Sequence, residues 1–291
     1  MIPAAFDYHS AKSVGEAVAL LDKLGDEAKV LAGGQSLLPL LKLRLGQVSH
    51  LVDISGIPGL EYIKEEGGFL RIGAGTREVT LERSELVRSR YPILLDTAAV
   101  VADPLVRNRA TLGGNLAHGD PANDHPATMM ALGAQVVAQG PKGERTIPID
   151  EFFLDALTTA LKPNEILTEI RIPVPAARTG GAYEKLERKV GDFATAAAAA
   201  QVTLGADGKV AQIGIALTNA GPTPIRAVEA EKFLKGKTPD AAAVAEAGKL
   251  AGNAATPSAD RRGAEDYKKE MARVLVTRAL KRAVQRAGGK V

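Results

Sequence analysis

Ala110-Thr111-Leu112-Gly113-Gly114-Asn115-Leu116-Ala117-His118-Gly119-Asp120-Pro121-Ala122-Asn123-Asp124 is the stretch on which the reading of this chain turns. Its fifteen residues hold three glycines, one proline, two asparagines and two aspartates, and the segments on either side read as helices. That composition suits a surface loop. A second glycine stretch upstream, Ala32-Gly33-Gly34-Gln35-Ser36, is built on the same plan. Two backbone-rich cradles so far apart in sequence imply one long ligand gripped from two sides.

The 291 residues are enough for two or three domains, and 45% apolar with 24% charged residues is an ordinary globular composition. No apolar run approaches the roughly 20 residues of a membrane span. The first residues, Met1-Ile2-Pro3-Ala4-Ala5-Phe6-Asp7, lack the basic-then-apolar pattern of a secretory signal, so a cytoplasmic location is expected. The chain has no cysteine, which excludes disulfides, thiolate-bound zinc, thiolate-bound iron–sulfur clusters and a thiol nucleophile on these residues. Four histidines leave little for a metal site. A net charge of +3 spread along the chain, with no tryptophan and 4% aromatics, argues against nucleic acid as a partner.

Outward from the glycine stretches, the order of elements can be read. Ser13-Val14-Gly15-Glu16 has the form of a capping box, and Ala17, Val18, Leu21 and Leu24 follow at helical spacing to Gly25. Residues 29–32 read as a strand that the first glycine stretch turns into a helix over 37–45, with a further strand at 50–54. That βαβ-like unit is of the kind that binds anions at a helix start. Residues 69–74 alternate as a strand, and helices are expected over 79–87, 93–101 and 127–132. Residues 134–139 and 145–149 flank a hairpin turn, and 165–172 form a strand ending at Pro173-Val174-Pro175, a domain boundary. Residues 182–188 and the alanine-rich 195–204 read as strands, and Asp207-Gly208 joins the latter to 210–217. Helices are expected over 225–234, 241–251 and 262–286, the last with an apolar stripe.

The glycines at 33 and 34 let backbone approach a ligand closely and let successive amides converge on an anion, while a plain strand-to-helix turn reads equally well. The stretch is neither a Walker loop nor a dinucleotide fingerprint. Thr111-Leu112-Gly113-Gly114-Asn115 repeats the plan, with Asn115 able to donate and accept and Asp124 able to accept from sugar or ribityl hydroxyls. His118 and His125, seven residues apart, lack the spacing of helical metal ligands. Arg107 and Arg109 could meet a phosphate or a partner, or simply face solvent. No acyl-transfer motif appears, and no general acid, base or other catalytic residue is assigned.

The segments AGGQSLLPLLKLRL (32–45), TLGGNLAHGDPANDHP (111–126), YEKLERK (183–189), GDFA (191–194) and RRGAEDY (261–267) resemble the FAD-binding medium subunit of the molybdenum hydroxylases, the xanthine dehydrogenase family. The likeness runs over essentially the whole chain. It implies an α/β and α+β fold. Two N-terminal α/β subdomains, residues 1–57 and 58–176, would form a PCMH-type FAD-binding domain. Residues 177–291 would form a C-terminal α+β domain of the carbon monoxide dehydrogenase flavoprotein type, an antiparallel sheet with helices.

By the same resemblance, Ala32, Gly33, Gly34, Gln35 and Ser36, with Thr111, Gly113, Gly114 and Asn115, would wrap the pyrophosphate. Asp124 would bind the sugar or ribityl chain with His118 nearby. Lys29, Ala102, Leu167 and Lys185 fall at cofactor-binding positions, and Phe193 stands where many relatives carry a flavin-shielding tyrosine. Gln35 occupies the place of a covalently attaching histidine in distant flavoproteins, so FAD would be held non-covalently. The implied function is electron transfer from a small iron–sulfur subunit through FAD to an external acceptor, with substrate oxidised at a large molybdopterin subunit. Iron–sulfur clusters and molybdopterin would sit only on those partners, in an assembly expected to be a dimer of heterotrimers. A stand-alone flavin oxidoreductase of related fold is the alternative. The substrate stays open between carbon monoxide, N-heterocycles, purines, aldehydes and acyl-CoA compounds, as does the electron acceptor.

Overall fold

A computed structural model describes residues 2–291. The first unit carries strand β1 (Asp7–Ser10), helix α1 (Val14–Leu24), strand β2 (Ala28–Leu31), helix α2 (Leu37–Lys42) and strand β3 (His50–Asp53). The Ser13 hydroxyl accepts from the Glu16 amide at 3.1 Å and starts α1, as its capping sequence requires. Ala17, Val18 and Leu21 are buried and face the sheet. All pairing here is parallel, in the order β1-β3-β2. β2, the glycine turn, α2 and β3 therefore make the expected βαβ unit. α2 ends at Lys42 instead of 45, because Arg44 turns into the left-handed region at φ 57°.

The middle unit consists of β4 (Ile63–Glu66), β5 (Phe69–Gly73), α3 (Glu78–Arg83), α4 (Glu85–Arg90), α5 (Pro92–Val100), α6 (Pro104–Arg107), α7 (Leu112–His118), α8 (Asp124–Ala131), β6 (Gln135–Gly140), β7 (Gly143–Pro148), the small pair β8 (Phe153–Asp155) and β9 (Thr158–Thr159), and β10 (Ile166–Pro173). Its five-stranded sheet, β4-β5-β10-β6-β7, is antiparallel throughout. Where one helix was expected over 79–87 there are two, because the Ser84 hydroxyl accepts from the Val87 amide at 3.3 Å and caps a new start.

β11 (Thr179–Leu186), β12 (Ala196–Leu204), β13 (Val210–Thr218) and β14 (Ile225–Arg226) form the third sheet in that order. α9 (Val228–Leu234), α10 (Ala241–Ala254) and α11 (Glu265–Arg286) follow. Residues 225–226, expected as helix, instead pair as an edge strand with Leu217 and Ala216.

The alanines of β12 explain how the units join. Ala197 and Ala199 enter the core of the middle unit, whereas Ala196, Ala198 and Ala200 enter the core beneath α10 and α11. Alternate side chains of a strand point to opposite faces, and both faces are buried. Only small side chains fit, because helices press on the sheet from both sides. A Cβ on Gly214 would stand 2.1 Å from the Ala131 carbonyl of α8, and one on Gly180 2.2 Å from the Ala283 carbonyl of α11. Gly214→Ala is expected to lower unfolding free energy by about 2–3 kcal/mol through overpacking. Urea denaturation measures this, and an unchanged midpoint would show that α8 lifts freely. Among the described residues no helix is long and apolar enough to cross a membrane.

Candidate functional site

The structure brings the two glycine stretches into contact. Gly33 presses on the chain just ahead of the second stretch: a Cβ added there would meet the Arg109 carbonyl oxygen at 2.2 Å and Ala110 Cα at 2.9 Å. Gly114 faces Ala32, where an added Cβ would stand 4.0 Å from the Ala32 methyl carbon. Backbone lies directly on backbone.

Their amides differ. Gly34 has φ 75°, and the amides of Gly33, Gly34, Gln35 and Ser36 find no acceptor among the described residues. Ser36 precedes α2 without capping it, and its hydroxyl has no hydrogen-bond partner among the described residues. In the second stretch the amides are used within the protein. Leu112 donates to the Thr76 carbonyl and Gly113 to the Ala74 carbonyl, each at 2.9 Å. Gly114 donates to Thr111 Oγ1 at 3.1 Å and Asn115 to the Thr111 carbonyl at 2.9 Å. This corrects the expectation that residues 111–115 repeat the amide nest of 32–36: they open helix α7. Gly113 is there for contact, since a Cβ would stand 2.5 Å from that of Ala74.

From this junction the candidate residues can be followed as one line of successive contacts and short steps along the chain. Asn115 Oδ1 is buried without a hydrogen-bond partner. Its carbonyl accepts from Asn123 Nδ2 at 2.9 Å, which fixes the start of α8 and hence Asp124. Asp124 is buried, and its carboxylate accepts from Lys185 Nζ at 2.9 Å and the Tyr183 hydroxyl at 2.7 Å. Burial pushes the Asp124 carboxyl above its ordinary value, opposed by the Lys185 ammonium and the Tyr183 hydroxyl. Burial likewise raises the Tyr183 hydroxyl well above its usual range. Lys185 also donates to the Val100 carbonyl at 2.9 Å and lies 3.4 Å from Glu187. Two residues past Val100, Ala102 sits under Gly191, whose Cβ would meet the Ala102 carbonyl oxygen at 3.0 Å.

Gly191 leads to Phe193, 46% exposed and 5.8 Å from the Arg262 guanidinium. Asp192, between them, accepts from Arg188 Nε at 2.8 Å and Arg262 Nη2 at 2.9 Å, which hold its carboxyl well below the usual range.

Three expected residues stand off this line. Lys29 is exposed on β2, and Leu167 is buried on β10, paired with Ala138. His118 lies 3.9 Å from Asp120, its imidazole pKa lowered by burial. His125 is fully buried and bonded to Glu78 at 2.7 Å, so it is an interior partner and not a wall of the site. No group of three potential metal ligands occurs among the described residues. Arg107 is 12% exposed and bonded to Glu82, which overturns the solvated-face reading for that residue, whereas Arg109 is exposed as that reading has it. A separate cleft of about 410 Å³, lined by Tyr62, Arg71, Glu169 and Arg171, shares no residue with the line.

Tyr183 is not among the site residues expected from the sequence. It stands two residues before Lys185 on β11, hence on the same face, and that spacing was the available signal.

The donor set fits a long polyanionic and polyhydroxyl cofactor: free amides at one end, an unpartnered carboxamide oxygen and a buried carboxylate further on, and an exposed aromatic at the far end. Residues 4–175 match the family described as the FAD binding domain in molybdopterin dehydrogenase, and residues 181–283 the CO dehydrogenase flavoprotein C-terminal domain. The chain belongs to the FAD-binding medium subunits of the molybdenum hydroxylases. The carbon monoxide dehydrogenase medium chain of Hydrogenophaga pseudoflava is 50% identical, over 97% of this chain and 98% of that one. The 6-hydroxypseudooxynicotine dehydrogenase complex subunit alpha of Paenarthrobacter nicotinovorans is 39% identical over 99% and 97%. A structure of carbon monoxide dehydrogenase from Hydrogenophaga pseudoflava, lacking the Mo-pyranopterin moiety of its cofactor, superposes with a TM-score of 0.96 at 52% identity over 98% and 99%. As a member of this family the chain is an FAD-dependent oxidoreductase subunit.

Proposed function

We propose that this medium subunit carries electrons from a small iron–sulfur partner through FAD to an external acceptor, while a large molybdopterin partner oxidises the substrate. The observation that carries this reading is the single line of candidate residues from the free amides at 33–36 to the exposed Phe193 ring. Bound FAD supplies the electron chemistry, and the protein supplies binding, orientation and a polarised environment.

Within that reading, Gly33, Gly34, Gln35 and Ser36 donate amides to the pyrophosphate, with Ala32 and Gly114 letting the two stretches close on it. Thr111 holds Gly114 in place and Gly113 seats α7 on Ala74. Asn115 Oδ1 and the Asp124 carboxylate accept from hydroxyls of the sugar and ribityl chain, beside His118. Lys185, Ala102 and Phe193 border the flavin, whereas Leu167 and Lys29, off this line, have a cofactor role only by the family resemblance. FAD is held without a covalent link, Gln35 being at the position where an attaching histidine would stand. The three-part division at 1–57, 58–176 and 177–291, the dimer of heterotrimers and a cytoplasmic location belong to the same reading. Carbon monoxide is the substrate that the 50% identical medium chain favours.

The test is to purify the complex from its host through a tag on this chain. Acid release should yield FAD at about one per chain, together with an iron–sulfur chain and a molybdopterin chain. A tagged chain that emerges alone and colourless would overturn the reading. One that oxidises a substrate alone, with FAD bound, would establish a stand-alone flavin enzyme instead.

A further inference from the structure

The corner that follows α5 is strained, and dedicated cationic side chains hold it. Ala102 has φ 46°, and of the described non-glycine residues with positive φ it alone lies on the line of candidate residues. Such residues persist only where their surroundings over-determine them.

Here three successive carbonyls are gripped. Lys185 Nζ donates to Val100 O at 2.9 Å, and Arg107 Nη1 donates to Val101 O at 3.2 Å and to Ala102 O at 3.4 Å. Arg107 Nε is anchored on Glu82 at 3.0 Å, so this guanidinium is already engaged on two sides and is no free phosphate ligand. Gly191 packs on the same corner, where an added Cβ would stand 3.0 Å from the Ala102 carbonyl oxygen.

We propose that Arg107 is a positioning residue, fixing the Val101–Ala102 corner as a preformed backbone wall of the cofactor site. The inference rests on the FAD reading above. A fixed wall spares the cofactor the ordering of a loop on binding, which is how preorganisation raises affinity. Lysine at 107 keeps the charge but cannot reach Glu82 and two carbonyls at once, because it lacks the planar fork of arginine.

The tagged complex carrying Arg107→Lys should release FAD about 10-fold faster, as followed by loss of flavin absorbance on dilution into FAD-free buffer. The visible circular dichroism of the bound flavin should change, while the melting temperature of the FAD-stripped complex stays within about 2 °C of wild type. Ala102→Gly, which relaxes the corner without removing any hydrogen-bonding side chain, should also speed release, and it decides the matter if Arg107→Lys fails to fold. Unchanged release and dichroism in the folded variants would overturn the proposal. So would FAD loss that merely tracks a lower melting temperature of the stripped complex. A wild-type complex that holds no FAD would remove the FAD reading and this inference with it.

Discussion

Gly33→Ala is expected to empty the complex of FAD while leaving most of the fold in place. The new methyl would stand 2.2 Å from the Arg109 carbonyl oxygen, where ordinary contact begins near 3.4 Å, so the stretches must part by about an ångström. No flexible side chain is available to move aside, because the neighbours are backbone atoms of Arg109 and Ala110. At reacting centres a misplacement of about 1 Å costs on the order of 100-fold, and a loss of that order in FAD affinity is expected here. FAD per chain after acid release is the measurement. Gly46→Ala is the control, since nothing lies within 4 Å of a Cβ there. Full flavin content in Gly33→Ala would show that the backbone contact is dispensable.

Lys185→Met is expected to be the most destabilising change to the buried network. The ammonium is 3% exposed and serves Asp124 and the Val100 carbonyl at once. Without it, Asp124 is a buried carboxylate left with the Tyr183 hydroxyl, and breaking such a pair costs about 3–5 kcal/mol. The pH dependence has a definite sign. The Asp124 carboxyl already lies above its ordinary value because of burial, and losing the lysine raises it further. A group whose folded pKa exceeds its unfolded one costs stability above the folded value, and that cost disappears as pH falls toward roughly 3.9. Lys185→Met should therefore be weakest at neutral and alkaline pH and recover toward acid, as read by urea denaturation of the FAD-free form. Adding Asp124→Asn should restore much of the loss at neutral pH. A variant with the pH profile of wild type would mean that Asp124 carries no charge in the fold.

Much of the architecture is legible in the sequence. The capping box at Ser13, the βαβ unit around Gly33 and Gly34, the hairpin at Asp207-Gly208 and the apolar stripe of α11 all carry their signals within a few residues. What escaped was what distant partners decide. α7 was hidden inside an apparent loop because Leu112-Gly113-Gly114-Asn115 has poor intrinsic helix propensity. The Thr111 cap and the carbonyls of Thr76 and Ala74 start it instead. β1 and β4 are four-residue strands with little apolar alternation, and their pairing partners define them.

The site divides the same way. Its residue types were visible as two glycine stretches and a carboxylate, and the family likeness followed from them. Their division of labour was not visible: one stretch keeps its amides free, whereas the other bonds them to Thr76, Ala74 and Thr111. Nor could sequence show that Tyr183 supports Asp124, or that Arg107 turns inward to hold Val101 and Ala102. By itself, then, the sequence determined where backbone can approach a ligand, because glycine and turn chemistry are local. Only the tertiary structure decided which amides remain free and which charges are buried together, because both depend on what the rest of the chain places within about 3 Å of them.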